Sequence, residues 1–179
     1  MKPRERVIAA LAREIPDRVP TGENAVDGYL VDRILGREVL YNGWEEMTAL
    51  WSGRREEIVR DYGEVHAELP VALEWDYVRV PVVPPARDYA PPRMTGEYSW
   101  IDDEGFEVHF RPEAGNIVTK STWPELAVDD LPDPDAPYVV DASKLEAIRY
   151  VVDAIGDSHF VIGRTPVDGA IPWQDTVGM

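Results

Sequence analysis

The sequence of 179 residues contains no cysteine, only three histidines and no long apolar run. Without cysteine, the chain has neither disulfide bonds nor thiolate ligands for a metal. No stretch approaches the roughly 18 consecutive apolar residues that a transmembrane helix requires. The opening MKPRERVIAALARE carries charges where a secretory signal peptide has a continuous apolar segment. These absences predict a cytoplasmic protein.

Basic residues are also scarce, with 18 Lys and Arg against 34 Asp and Glu and a net charge of −16. Most of the excess lies after residue 60, where 23 acidic side chains face 8 basic ones. An acidic surface repels phosphate groups and anionic lipids, so neither a nucleic acid nor a membrane is the expected partner. The charge favours solubility, and we expect a small-molecule substrate.

Helical and extended patterns alternate along the chain. Apolar spacing predicts a helix over residues 3–14 that ends at Pro16 and a short helix closed by Gly36. A third helix is predicted from the N-cap Asn42, with Glu45 as its capping partner, to about Tyr62, and it continues over residues 64–73. Asp141 is predicted to cap a helix over 142–155, with Leu145, Ile148, Val151, Val152 and Ile155 facing inward. Strands are predicted near residues 18–22, 77–83 and 159–163. Strands separated by helices indicate parallel βαβ units.

A second kind of pattern interrupts this alternation. YSWIDDEGFEVHF is typical of a β-hairpin that turns at residues 103–105, and NIVTKST could add a third strand. The acidic, proline-rich WPELAVDDLPDPDAPY then predicts an irregular connector. We therefore predict a single domain over residues 1–179 with an insertion at 85–140.

Four segments resemble the uroporphyrinogen decarboxylase superfamily. PRERVIAALAREIPDRVP is similar to the opening helix and first strand of that family, WDYVRVPV to its second strand, IDDEGFEVHF to its hairpin, and WPELAVDDLPDPDAP to the connector before a helix. The resemblance implies a (β/α)8 barrel. Because such barrels need about 250 residues, this chain would supply the amino-terminal portion with about three barrel strands.

The resemblance implies one of two activities. In the decarboxylase, an arginine-rich segment after the first strand meets the carboxylates of a porphyrinogen, and no cofactor takes part. The matching segment here, TGENAVDGY, holds Glu23, Asn24 and Asp27 but no arginine. The resemblance therefore favours the cobamide-dependent methyltransferases, which use a corrinoid, a corrinoid protein as partner and, in the complete protein, zinc held by later strands. We assign no cofactor or metal to this chain, because His66, His109 and His159 are isolated.

Catalytic residues of a parallel barrel follow the carboxyl ends of its strands. This position selects Glu23, Asn24, Arg164 and Asp168 as catalytic candidates and Thr165 and Trp173 as substrate-binding candidates. Other interpretations stay open: Glu23 as a solvated acid, Asn24 as a turn residue, Arg164 paired with Asp168, and Trp173 packed in the core. Asp17, Arg18 and Asp76 precede strands, at the face where such residues serve stability.

Two alternatives to a methyltransferase remain. The chain could be a truncated, non-catalytic half-barrel fragment or subunit that self-associates through its open barrel edge. It could also be a uroporphyrinogen decarboxylase of porphyrin biosynthesis. A carbohydrate- or nucleotide-binding α/β domain is disfavoured, because no glycine-rich phosphate loop follows a predicted strand and GRTPVDG has neither Walker nor dinucleotide spacing.

Overall fold

The computed structural model describes residues 1–103, 105–119 and 141–164. The helices are α1 (Pro3–Leu11), α2 (Gly28–Leu35), α3 (Trp44–Trp51), α4 (Arg55–Ala72) and α5 (Glu146–Ile155), the last preceded by a 3-10 turn at Ala142–Leu145. The strands are β1 (Tyr77–Pro81), β2 (Arg93–Gly96), β3 (Ser99–Ile101), β4 (Glu107–Arg111), β5 (Asn116–Thr119) and β6 (Phe160–Arg164).

Two strands, β1 and β6, form a parallel pair whose register runs from Tyr77 opposite Phe160 to Pro81 opposite Arg164. The predicted parallel arrangement is therefore confirmed for these two strands. Val78 and Val80 are buried on one face of β1 and belong to the main core, which packs α4 and α5 against the sheet. The other residues of β1, which alternate with these two valines, lie on the opposite face of the strand.

The strand predicted at residues 18–22 is not formed. The Thr21 carbonyl accepts hydrogen bonds from the backbone N–H groups of Asp76, at 2.7 Å, and Tyr77, at 3.3 Å, just where β1 begins. Pro20 has no N–H to donate, so the segment cannot extend this contact into a ladder. Among the residues that the structure describes, two barrel-type strands are present instead of three.

The helix predicted from Asn42 to about Tyr62 is wrong as a continuous element. Gly53 adopts φ +72 and separates α3 from α4, a conformation that glycine takes without steric cost. Asn42 does not cap α3 either: Gly43 is the N-cap, and the Asn42 N–H donates to Glu46 rather than pairing with Glu45.

The predicted continuation of the helix past Gly63 is confirmed, since α4 runs unbroken from Arg55 to Ala72. A Cβ atom at this position would lie 2.6 Å from the ring of Tyr150, so the absence of a side chain allows α4 and α5 to approach closely. The cap at Asp141 is confirmed, since its carboxylate accepts from the Ser143 N–H at 3.0 Å, but the element that it caps is the 3-10 turn that leads into α5. Val152, predicted to face inward, is 47% exposed, because α5 buries one narrow stripe that includes Ala147 and Val151.

Four antiparallel strands in the order β2-β3-β4-β5 form a second sheet. The predicted hairpin is confirmed as β3 and β4, the third strand as β5, and β2 is an addition that the sequence did not indicate. A small core joins this sheet to α3 through the following side chains: Trp100, Val108, Phe110, Trp44, Trp51 and Tyr98.

The architecture is a mixed α/β fold with one parallel and one antiparallel sheet. Its described strands do not close into a barrel. The antiparallel sheet lies within residues 85–140, and residues 120–140 fall outside the described part. In that part, no helix combines the length and the apolar character needed to cross a bilayer.

Candidate functional site

An ion network surrounds Asp76 at the amino-terminal end of β1. The Asp76 carboxylate is fully buried and bonds to both Arg6 and Arg18 and, at 2.8 Å, to the Thr21 N–H. Asp17 extends the network by pairing with Arg6 and with the chain's amino terminus at 3.0 Å. Burial acts to raise the pKa of Asp76, but the hydrogen bonds from Thr21 and Arg6 outweigh it and hold the pKa below its ordinary value.

This network accounts for the order of the residues in IPDRVP. The helix predicted over residues 3–14 ends earlier, at Leu11, and Arg13 adopts a left-handed φ of +62 after it. Beyond Pro16, the side chains of Asp17 and Arg18 reach back to Arg6 and Asp76. The amino end of α1 also bonds to the turn that precedes β6, since the Arg4 N–H donates to the Ser158 carbonyl at 2.9 Å. The amino-terminal end of the parallel pair is thus held by ion pairs.

We use the name inner face for the side of β1 and β6 that lies opposite α4 and α5. On β6, Val161 packs on the main core and Gly163 lies against Ile148 of α5. Because successive side chains of a strand point to opposite faces, Arg164 lies on the inner face. Arg79 lies on the same face, since its neighbours Val78 and Val80 are buried in the core. The register places Arg79 beside Ile162, one pair of inner-face residues before Arg164. Two guanidinium groups therefore share one face of a strongly acidic chain.

Glu23 and Asn24 lie beside the middle of β1, rather than beyond its carboxyl end. Both are exposed, and the Glu23 carboxylate accepts from the Asn24 N–H at 2.7 Å. They line a cavity of about 20 Å³ together with Tyr41, His66 and Arg79. A cavity of this size holds about one water molecule.

Tyr41 links this cavity to Arg164. Its side chain is 5% exposed and meets the rings of Tyr62 and His66 edge-on, at centroid distances of 5.1 and 5.0 Å. Burial raises the pKa of the Tyr41 hydroxyl, whereas the positive charge of Arg164 acts to lower it. The structure thus places the predicted residues Glu23 and Asn24 in one cavity with Tyr41, a residue that sequence reasoning missed, while Arg164 acts on Tyr41 through its charge.

Behind Tyr41 lies a buried carboxyl group on α3. Glu46 is 6% exposed, and it accepts from the Tyr62 hydroxyl at 2.8 Å and from the Asn42 N–H at 2.9 Å. Burial outweighs these two hydrogen bonds and raises the pKa of Glu46 to about 7. The carboxyl group therefore changes its charge near neutral pH.

The three histidines lie apart, as the sequence indicates. His66 is buried, its Nδ1 lies 2.7 Å from the Tyr62 carbonyl, and burial lowers its pKa to about 4. His109 bonds to the Ser99 hydroxyl and His159 to the Ser158 hydroxyl, each at 2.8 Å. Within residues 1–103, 105–119 and 141–164, no three His, Asp or Glu side chains form a group that could hold a metal ion.

Part of the predicted site lies outside the described residues. Thr165, Asp168 and Trp173 all follow Arg164, the last described residue, so the alternative pairing of Arg164 with Asp168 stays a prediction. Arg79 could have been found from the sequence, because it is the one charged residue inside the strand YVRVP. Tyr41 and Glu46 give no such signal, since tertiary packing alone buries them.

Comparisons with known proteins add no identification. The chain matches no family model, no curated protein and no solved structure.

Proposed function

We propose that the chain is the amino-terminal portion of a (β/α)8 barrel of the uroporphyrinogen decarboxylase superfamily, on its methyltransferase-like branch. The observation that supports this most is the pairing of β1. This strand is hydrogen-bonded to the segment at Thr21, which precedes it, and to β6, which follows it. The resemblance assigns the first two of these segments to the first two barrel strands, and the sequence pattern predicts a strand at the third. Neighbouring strands of such a barrel follow one another in the chain.

The choice of branch rests on the surroundings of Glu23. In the decarboxylase branch the corresponding segment would present arginines to a polyanionic porphyrinogen. Here Glu23 and Asn24 line the small cavity at Arg79, and Asp27 lies close enough to act on the pKa of Tyr41. Negative charge at this point opposes a substrate with many carboxylates.

Each candidate residue then has a role that its chemistry permits. Glu23 could accept a proton at its exposed carboxylate, and Asn24 could orient a polar substrate group through its amide. Arg164 and Arg79 would attract an anionic group to the inner face. A corrinoid would supply the methyl carrier in this branch, and the described residues offer no metal-binding set to accompany it.

A methyl-transfer assay tests the proposal on the chain extended by the remaining strands of the barrel. The extended protein is mixed with methylcobalamin and a thiol, and the loss of the methylcorrinoid absorption spectrum is followed. We expect turnover that falls about tenfold or more in Glu23→Gln, in line with the loss of a general acid or base. Glu14→Gln, which removes the same charge from an exposed position, should leave turnover unchanged.

Porphyrinogen decarboxylation is the second candidate, because Arg79 and Arg164 share the inner face. Guanidinium groups bind carboxylates in a bidentate manner. Release of carbon dioxide from uroporphyrinogen, lost in Arg79→Gln and unchanged in Glu23→Gln, would replace the methyl-transfer proposal with this one.

A half-barrel subunit without catalysis is the third candidate, supported by the pairing of β6 with β1 alone in the described part of the chain. An edge strand that presents free backbone groups invites pairing with a second chain. Size-exclusion chromatography with light scattering should then give a dimer or larger species, and neither assay should show turnover.

A further inference from the structure

A second cavity, of about 260 Å³, lies between α2, the turn that precedes α3 and the antiparallel sheet. We call it the aromatic cavity, because five of its lining residues are aromatic: Tyr29, Tyr41, Trp44, Tyr98 and Phe110. Pockets for drug-sized ligands start at about 300 Å³, so this cavity suits a small molecule.

The aromatic rings are held in place by one another. Trp44 meets Tyr98 at a centroid distance of 5.1 Å and Phe110 at 5.6 Å. Trp51 holds Trp44 from a further side at 5.5 Å. Trp44 and Tyr98 nevertheless remain partly accessible, so these rings offer π surface to a ligand without rearrangement.

The charge around the cavity has one sign. Its lining includes the carboxylates of Asp32 and Glu45, and none of the described residues that line it is Lys, Arg or His. The Asp32 carboxylate is fixed by the Val39 N–H at 2.8 Å, and Glu45 is exposed. Glu97 and, more weakly, Glu45 raise the pKa of Tyr98, which indicates that the Glu45 charge lies near that ring.

An acidic groove adjoins the aromatic cavity and shares Asp32 and Glu45 with it. Two further carboxylates, Glu38 and Asp61, line this groove, whose volume is about 450 Å³. Arg37 offsets part of this charge, since its guanidinium lies 3.5 Å from Asp61. A cleft with a net negative lining raises the local concentration of cations.

The rim of the cavity already holds one cation against an aromatic ring. The guanidinium carbon of Arg33 lies 5.9 Å from the ring centroid of Tyr29, within the range of a cation–π contact. Both residues are exposed on α2. The inner rings, Trp44 and Tyr98, have no such contact among those found between described residues.

We propose that the aromatic cavity binds a small organic cation with a methylated ammonium group. Aromatic rings bind such a group through their π faces, and nearby carboxylates balance its charge. Unlike ammonium itself, a methylated ammonium also gains from burying its methyl groups against the rings. This proposal goes beyond the proposed function and does not depend on it, because it concerns binding alone.

Calorimetric titration of the full chain with tetramethylammonium chloride tests the proposal. tert-Butanol serves as the neutral control, since it has nearly the same shape and no charge. We expect saturable binding of tetramethylammonium and no measurable binding of tert-butanol. Equal affinity for the two molecules, or no binding of tetramethylammonium at saturating concentration, would overturn the proposal.

Two variants locate the site. Glu45→Gln removes an exposed carboxylate at the cavity and should weaken binding about threefold, as expected for a partly solvated charge pair. The matched control Glu14→Gln removes the same charge on the segment after α1 and should leave affinity unchanged. Equal weakening by both variants would show nonspecific attraction to the acidic chain and contradict a site.

Trp44→Leu tests the aromatic contribution to binding. It should weaken binding at least fivefold, which is roughly the effect of losing a partly desolvated cation–π contact. Circular dichroism checks that this variant stays folded. Glu45→Gln keeps the proposal testable if Trp44→Leu does not fold.

Discussion

Glu46 and His66 are two buried ionisable groups whose effects on stability oppose each other. In the folded chain the pKa of Glu46 is raised from 4.5 to about 7, and that of His66 is lowered from 6.5 to about 4. Between pH 4.5 and 7 the folded state keeps a proton on Glu46 that the unfolded state releases, so stability falls as pH rises. Between pH 4 and 6.5 the unfolded state holds a proton on His66 that the folded state lacks, so stability rises with pH.

The two contributions have a similar size. Each pKa differs by about 2.5 units between the folded state and its ordinary value, and one unit corresponds to about 1.4 kcal/mol, so each group changes the free energy of unfolding by about 3 kcal/mol. From pH 4.5 to 6.5 they nearly cancel. We therefore expect these two groups to leave the wild-type stability almost independent of pH across that window.

Glu46→Gln removes one side of this balance. Glutamine retains the shape of the side chain and can still bond to the Tyr62 hydroxyl and the Asn42 N–H. As the pH rises from 4 to 6.5, the free energy of unfolding of this variant should increase by about 3 kcal/mol, because Glu46 no longer offsets the contribution of His66. His66→Phe should show the opposite trend, losing about 3 kcal/mol between pH 4.5 and 7.

Urea unfolding followed by tryptophan fluorescence at several pH values measures both profiles. Glu45→Gln is the matched control, since Glu45 is an exposed neighbour on the same helix, and its profile should run parallel to that of the wild type. A Glu46→Gln profile that stays as flat as the wild type would refute the reasoning. It would mean that Glu46 is ionised in the folded chain at all these pH values.

Three further predictions concern stability. Asp76→Asn removes the buried carboxylate that pairs with Arg6, so it should lower the free energy of unfolding in urea by about 3 kcal/mol. Asp157→Asn, at an exposed position, should change it very little, and equal effects of the two variants would show that the network does not stabilise the fold. Gly63→Ala should cost about 1–3 kcal/mol because its Cβ would meet the Tyr150 ring, and the double variant with Tyr150→Ala should recover most of that loss in thermal melts. Ile58→Ala, at a fully buried position on α4, should cost about 2–5 kcal/mol, and Val71→Ala, 58% exposed on the same helix, should cost far less.

Much of the local structure followed from short-range patterns. The hairpin was predictable because Phe106, Val108 and Phe110 alternate after a glycine-containing turn, and β1 because branched residues alternate in YVRVP. The bend at Gly53 was missed because the apolar pattern runs through it, and no short-range pattern indicates that Tyr150 of α5 packs against Gly63. Val152 was assigned inward because spacing alone cannot show how wide a stripe α5 buries.

The sequence by itself determined the chain's negative charge, the helix boundary at Gly36, the cap at Asp141 and the strands of the hairpin. The boundary, the cap and the strands depend on neighbours within a few residues, where backbone sterics and local hydrogen bonds act. Tertiary structure alone decided that Arg79 and Arg164 share a face, that Glu46 is buried beside Tyr62, and that rings from α2, α3 and the antiparallel sheet line one cavity. These features join residues distant in the chain, and burial, which no short segment encodes, sets their chemistry.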